Sequence, residues 1–385
     1  MIELKQWSAG EPNKRVVKTD GYWIEYDNGE RHIDIQCGNA AYVLGYNQQP
    51  ILDAMREGEV NFLRGNTGES SEKNDELVRL VCERGNWAGM SYAVSGSDAV
   101  EAAIAMNDAY WQYHHIDKRR ILCFNPGYHG TTMLGKHLRG EYPYLGRASI
   151  VQAPLWKTAA EQPIYEKHVL KQVRARLETD KGIGCILMET IPWVGDVTPY
   201  SITWWKTIRS LCDEFNILFV VDDVAVCWGK NGTLFGWEPY SVQPDITALG
   251  KALTGGYSPL GIATCNKKVN DAISKHSWEH SHTWSPNMQG VYAALAVSKE
   301  LDRLLPRTSY INEQLLSIAN DFGLVCRGSN LFRCYDLPKE ISLADLSKAG
   351  LCAAIPGHKS IKVVSPINAD EEYFWELRVR LQKLF

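Results

Sequence analysis

The sequence predicts an α/β protein: a mostly parallel sheet with helices on both faces, a short N-terminal segment, and a small α+β domain at the C-terminal end. Three observations carry this. "GIGCILMET" and "ILFVVDD" are continuous apolar runs, as strands buried on both faces must be. Between them lies "ITWWKTIRSLCDEF", which has helical periodicity. After about residue 306 the pattern changes to shorter helices and strands, among them "NLFRCYDL" and "SIKVVSP".

In chain order, "TDGYWIEYDNGERHIDIQCG" alternates apolar and polar residues around Asn28-Gly29, which predicts a hairpin with a type I′ turn. Residues 72–84 and 98–113 read as helices, the second following Ser95-Gly96-Ser97; "RRILCFN" reads as a strand. "DITALG" is a strand ending at Lys251, and "GVYAALAVSKELDRLL" is a long helix leaving the core. These divisions predict an N-terminal segment (1–48) packing with the small domain, a large α/β domain (49–290), and a linking helix with the small domain (291–385).

Bulk properties exclude several classes. A net charge of −4 gives no basic footprint for nucleic acid. No apolar run reaches the ~20 residues of a membrane helix, and "MIELKQWSAGEPNKR" does not read as a signal peptide. Ten cysteines without a Cys-x-x-Cys pair suggest reduced thiols in a cytoplasm. Thirteen tryptophans suggest aromatic packing, or an aromatic pocket or interface.

Ligands of parallel sheets sit at the carboxyl ends of the strands. Two such ends carry complementary groups: Asp222-Asp223 and Lys251. An acid and an amine on one sheet edge suit pyridoxal phosphate, held on a lysine as a Schiff base with a carboxylate at its ring nitrogen. A free lysine, of pKa about 10.4, is neutral in only about one part in 10³ near pH 7, and a desolvated site removes that handicap. Ser95-Gly96-Ser97 before a helix offers an anion cradle for the phosphate. Tyr128 of "NPGYHG" could stack on the ring.

Taken singly, each feature has a plainer reading. Lys251 could be a solvated loop lysine, Asp222 a turn acid or helix cap, and the serines an ordinary N-cap. Tyr128 could be a core or surface aromatic, Thr283 a turn residue, and Glu189 a satisfied strand end. "GKALTGG" fails as a nucleotide-binding loop, because Asp245 and Ala252 stand where glycine and Ser/Thr are needed. "HSWEHSH", with His276, His280 and His282, lacks a His-Glu-x-x-His pattern or a third-ligand helix, so no metal is expected.

Seven motifs in order resemble the class III aminotransferases, a branch of the fold type I pyridoxal-phosphate enzymes: "DGYWIEYDNGERHIDIQCG", "SGSDAVEAAI", "GYHG", "ETIPWVGDVTP", "VVDDVAVCWGKNGTLFGW", "PDITALGKALTGGY" and "HTWSPN". The resemblance covers about residues 18–370. It implies a seven-stranded-type sheet and a homodimer that moves an amino group from a small-molecule donor to an oxo acceptor. It also implies roles. Lys251 forms the Schiff base, Asp222 pairs with the ring nitrogen, and Glu189 is an acid near the cofactor. Val224 and Tyr128 cover the two ring faces, with His129 beside Tyr128 in the cofactor site. Gly96 and Ser97 bind the phosphate, and Thr283 reaches it from the neighbouring subunit. This chain departs from the pattern at Asp223 (usually Glu), Ala225 (often Gln), Val226-Cys227 (Thr-Gly), Pro286-Asn287-Met288 (Gly-Asn-Pro) and Lys362 (often Arg). Those changes bear on substrate choice. Arg327, Arg333 and Lys362 are candidates for a substrate carboxylate, and Trp7, Tyr22 and Trp23 could line the pocket or simply pack. Exchange of amine and carbonyl within one substrate, as in glutamate-1-semialdehyde aminomutase, is the alternative activity. A cofactor-binding protein that has lost turnover is another.

Overall fold

The structure is a computed structural model that describes residues 14–60, 70–156, 158–195, 197–275, 278–353 and 359–385. Seven strands build the main sheet: β4 (Gly89–Ala93), β5 (Arg120–Asn125), β6 (Ala148–Gln152), β7 (Ile183–Glu189), β8 (Leu218–Asp222), β9 (Ile246–Leu249) and β10 (Gly261–Cys265). Their spatial order is β4-β10-β9-β8-β7-β5-β6. Strands β5 to β9 pair in parallel, and β10 runs antiparallel to both of its neighbours. The reason lies in the connection. Only residues 250–260 separate β9 from β10, too short for the crossover that a parallel return requires.

Alternation along the strands builds two cores. On one face Phe124, Met188, Phe219 and Val221 meet Trp204, Trp205 and Ile208 of helix Ile202–Glu214. On the other, Cys123, Leu187, Val220 and Ala248 meet Ala99, Ala103 and Met106 of helix Gly96–Tyr113. Two tryptophans of the helix Ile202–Glu214 pack as the sequence suggests. Trp205 stacks on Tyr240 at 4.5 Å and Trp204 on Tyr200 at 4.9 Å, an offset geometry that adds to plain burial.

The N-terminal strands β1 (Val16–Asp20), β2 (Trp23–Tyr26) and β3 (Arg31–Asp34) form a meander. β13 (Leu351–Cys352) pairs with β3 in parallel, joining the start of the chain to its C-terminal part. β11 (Cys326–Ser329), β12 (Phe332–Asp336) and β14 (Ser360–Val364) form a small antiparallel sheet. The hairpin expected at Asn28-Gly29 is present, but its turn is not type I′. Only Gly29 has positive φ, at 82°, and its N–H donates to the Tyr26 carbonyl at 3.0 Å. This is a type I turn closed by a left-handed glycine, the other common hairpin solution.

Candidate active site

Strand register brings the predicted acids together. Glu189 and Asp222 are the last residues of neighbouring parallel strands and stand directly opposite each other. Asp222 in turn faces Ala248 on β9, and Lys251 follows three residues later, after the turn at Gly250. Lys251 takes φ 45°, a left-handed conformation that non-glycine residues adopt at a cost of order 1–3 kcal/mol. Gly250 permits the close approach around it, since a Cβ there would lie 3.1 Å from the Gly96 Cα.

These groups line one cavity of about 160 Å³. Lys251, Asp222, Glu189, Tyr128, Val224, Gly96 and Ser97 all contribute to its wall. His129 lies behind the wall, buried, with Nδ1 donating to Asp222 Oδ2 at 2.9 Å. The other Asp222 oxygen accepts from the Val224 N–H at 3.1 Å. Burial alone would lower the His129 pKa; the bond to Asp222 and the charges of Asp222 and Glu189 outweigh it and raise it. His129 and the Val224 N–H thereby fix the Asp222 carboxyl on the cavity wall.

Glu189 is oriented by two backbone donors, the N–H groups of Tyr128 (2.8 Å) and Trp193 (3.1 Å). Burial nevertheless raises its pKa to about 7, with the negative charge of Asp222 adding to the shift. Burial also lowers the Lys251 amine from its ordinary range, although Asp222 and Glu189 pull the other way. No hydrogen bond or ion pair ties up its Nζ among the described residues. Asp223, the next residue, faces away from this chemistry. It accepts from Thr190 Oγ1 at 2.6 Å and the Gly236 N–H at 2.7 Å.

Across the cavity the helix Gly96–Tyr113 begins. Ser95 caps it, its Oγ accepting the Asp98 N–H at 3.2 Å. Ser97 Oγ accepts the Thr131 N–H at 3.2 Å, so the "GYHG" loop is locked onto the helix start. Gly130, with φ 96°, makes this possible: a Cβ there would fall 2.6 Å from the Ser97 Oγ. At Gly96 a Cβ would fall 2.5 Å from Val224 Cγ1. Gly96→Ala is therefore expected to displace Val224 or the loop at a cost of about 1–3 kcal/mol. Equilibrium dialysis should read this as a roughly ten- to hundredfold weaker hold on the cofactor; unchanged affinity would show that the helix start does not shape the site.

The remaining candidates fall elsewhere. Arg327 is paired with Asp336. Arg333 donates to the carbonyls of Gly328 (2.7 Å) and Asn330 (3.1 Å) and to Asn312. Both forks therefore hold the small sheet together. Lys362 lies with Nζ 5.0 Å from the Trp193 ring centre, and Trp193 lines the cavity. Tyr22 bonds to Asp370 and packs on Tyr373, while Trp23 is buried under Arg31 and Arg380. Thr283 is exposed, outside the cavity of its own chain. Trp7 and His276 lie outside the described residues. Ser95 and Ala225, both named from the sequence, line the cavity too, as do Trp193, Val100 and Gly130, which were not singled out as site residues. Trp193 sat within a quoted motif, but nothing in its spacing marked it.

Each part of the cavity answers one part of pyridoxal phosphate. Lys251 Nζ is an unpaired amine for the aldehyde, its pKa lowered by burial. The Asp222 carboxyl is placed to partner a protonated ring nitrogen, and the helix start suits the phosphate. Fold and site thus define a pyridoxal-phosphate-dependent enzyme of the α/β type. Comparison with known proteins narrows this: residues 7–383 match the profile of the class-III aminotransferases, and the chain belongs to that family. Acetylornithine aminotransferase of Clostridium acetobutylicum is 25% identical over 378 residues, covering 94% of each chain. Ornithine aminotransferase 2 of Staphylococcus aureus is 26% identical over 384 residues, covering 96% of this chain and 92% of that one. Among solved structures, a pyridoxal-phosphate-bound amine transaminase from an uncultivated Pseudomonas species superposes with a TM-score of 0.88 at 22% identity, covering 100% of this chain and 98% of that one. The protein is a pyridoxal-phosphate-dependent aminotransferase. Among the described residues no helix is long and apolar enough to cross a membrane.

Proposed function

We propose that Lys251 is the amine that carries the cofactor and relays the proton, with Asp222 as the partner of the ring nitrogen. The observation that carries this is the shared cavity of Lys251 and Asp222 at the ends of adjacent strands. Bound pyridoxal phosphate supplies an electron sink for the pair released at the donor's Cα. Lys251 Nζ takes the proton from that carbon and returns it on the other side of the transfer. Asp222 holds the positive charge at the ring nitrogen, and His129 holds Asp222. Glu189, Tyr128 and Val224 shape the walls, while Gly96 and Ser97 offer backbone and hydroxyl donors to the phosphate. Borohydride reduction of the holoenzyme followed by peptide mapping should place the label on Lys251; a label on any other lysine removes the assignment.

The substrates in this reading are a small amino donor with a primary amine and an oxo acid or aldehyde acceptor. The ornithine and acetylornithine aminotransferases among the relatives support a donor whose amine is remote from its carboxylate. Ala225 on the cavity wall, where the resemblance to the family implies a glutamine, favours one competing reading, exchange within a single substrate. A single turnover separates the two: a transferase releases an oxo product and leaves the aminated cofactor, whereas a mutase needs no second substrate.

The division into an N-terminal segment (1–48), a large domain (49–290) and a small domain (291–385) belongs to this reading, supported by the separate sheets. So does a cytoplasmic enzyme, supported by ten free cysteines. The assembly is a homodimer in which Thr283 of one subunit reaches the phosphate of the other, supported by its exposure away from its own cavity. Thr283→Ala is expected to remove a hydrogen bond to a charged group, about 1.5–3 kcal/mol. Cofactor dissociation should strengthen roughly 10- to 150-fold without loss of the dimer on sedimentation. Equal retention in the variant would exclude the contact.

A further inference from the structure

We propose that Asp98, His280 and His282 form a binding site for a divalent transition-metal ion of the zinc type. The sequence offered His276, His280 and His282 without a third-ligand helix, and His276 lies outside the described residues. The fold supplies a third ligand from 182 residues earlier in the chain, at the first turn of helix Gly96–Tyr113. His280 Nε2 lies 3.0 Å from Asp98 Oδ1, and His282 Nε2 lies 2.9 Å from the same oxygen. The two Nε2 atoms are 3.4 Å apart. One ligand atom from each residue falls within 4.8 Å of the others. Ligands about 2.0–2.2 Å from a tetrahedral zinc stand roughly 3.3 Å from one another, so the trio is already near the spacing an ion needs.

The ligands are also held for the task. Asp98 Oδ2 accepts the Val94 N–H at 2.8 Å, which fixes the carboxylate from behind. The Trp278 ring lies nearly parallel to the His280 imidazole, at 17° and 6.3 Å. Intervening Ser281 is exposed and donates to Glu279, which leaves both imidazoles turned to the same point. Within one subunit the side chains are 13% exposed for Asp98, 15% for His280 and 36% for His282, so the trio sits at the surface of its own subunit rather than in its core. Two imidazoles and one carboxylate suit zinc, cobalt, nickel or copper better than magnesium or calcium, and three protein ligands leave a position for water. An ion there would brace the helix start next to Ser97.

The test uses chelator-treated holoenzyme, titrated with Zn²⁺ by calorimetry and with Co²⁺ by visible absorbance. One equivalent per chain is expected, with cobalt bands of low coordination number and a higher Tm on adding Zn²⁺. His280→Ala and His282→Gln should each weaken that binding at least about tenfold and abolish the Tm rise, while circular dichroism and cofactor content stay as before. No saturable binding would mean a proton-bridged histidine–aspartate cluster only. Binding of equal strength in both variants would place the ion on cysteines elsewhere. Either result overturns the site.

Discussion

Lys251→Ala is expected to lower kcat by at least about 10³-fold, since in the proposed mechanism Lys251 is both the nucleophile that captures the cofactor and the group that moves the proton. The cofactor should remain weakly bound through the phosphate cradle but without the visible band of a lysine-linked chromophore. Circular dichroism should be unaltered. Alanine has the same Cβ as lysine and bears the same left-handed cost, so the substitution leaves the backbone of the turn as it is. The unaltered protein makes a related prediction about pH. Burial lowers the Lys251 amine, so more of it is neutral at a given pH than for an ordinary lysine. Capture of added cofactor by the apoprotein should therefore rise with pH and level off below the usual lysine range. Full activity in the alanine variant, or a plateau at the unperturbed lysine value, removes Lys251 from its role.

Asp222→Asn should cost about 10²–10³-fold in kcat, the usual scale for removing one preorganised electrostatic partner of a developing charge. An amide keeps the size of the group, so the cavity persists and the loss reads the charge. Two further signs follow from the same substitution. The Asp222 charge raises the pKa of both His129 and Lys251. Removing it must lower both, so the variant's cofactor-capture limb moves to lower pH, and His129 becomes neutral at a lower pH. Nuclear magnetic resonance titration of His129 checks the second shift without relying on turnover. Should kcat fall while neither pH shift occurs, the carboxylate would be a packing group rather than the source of the field.

Legibility in the sequence followed chain distance and chemistry. The apolar strands β7 and β8 and the helix between them were readable because both faces are buried, and a run of aliphatics has few other uses. That Lys251, Asp222 and the serine–glycine helix start would meet at one cavity could be expected because the carboxyl ends of parallel strands share one sheet edge. The exact neighbours were not. Register alone sets Glu189 beside Asp222, and no spacing rule gives register between strands joined by a helix. β10 is short and rich in glycine and alanine, so "GIATC" carried little strand signal. His129 could be assigned to the cofactor site, but its seat on Asp222 needs three-dimensional contact. Arg327 and Arg333 looked available because a sequence does not display the partners that occupy them.

The placement of β10 between β4 and β9 has a consequence for biosynthesis. As the chain leaves the ribosome, β4 appears first yet has no neighbour until residue 265 has emerged. The lysine turn and the helix start lie on the strands that this late insertion zips together. A nascent chain that ends before β10 therefore lacks the finished sheet edge on which the cavity stands, and the exposed edge of β4 must be kept from foreign pairing until then.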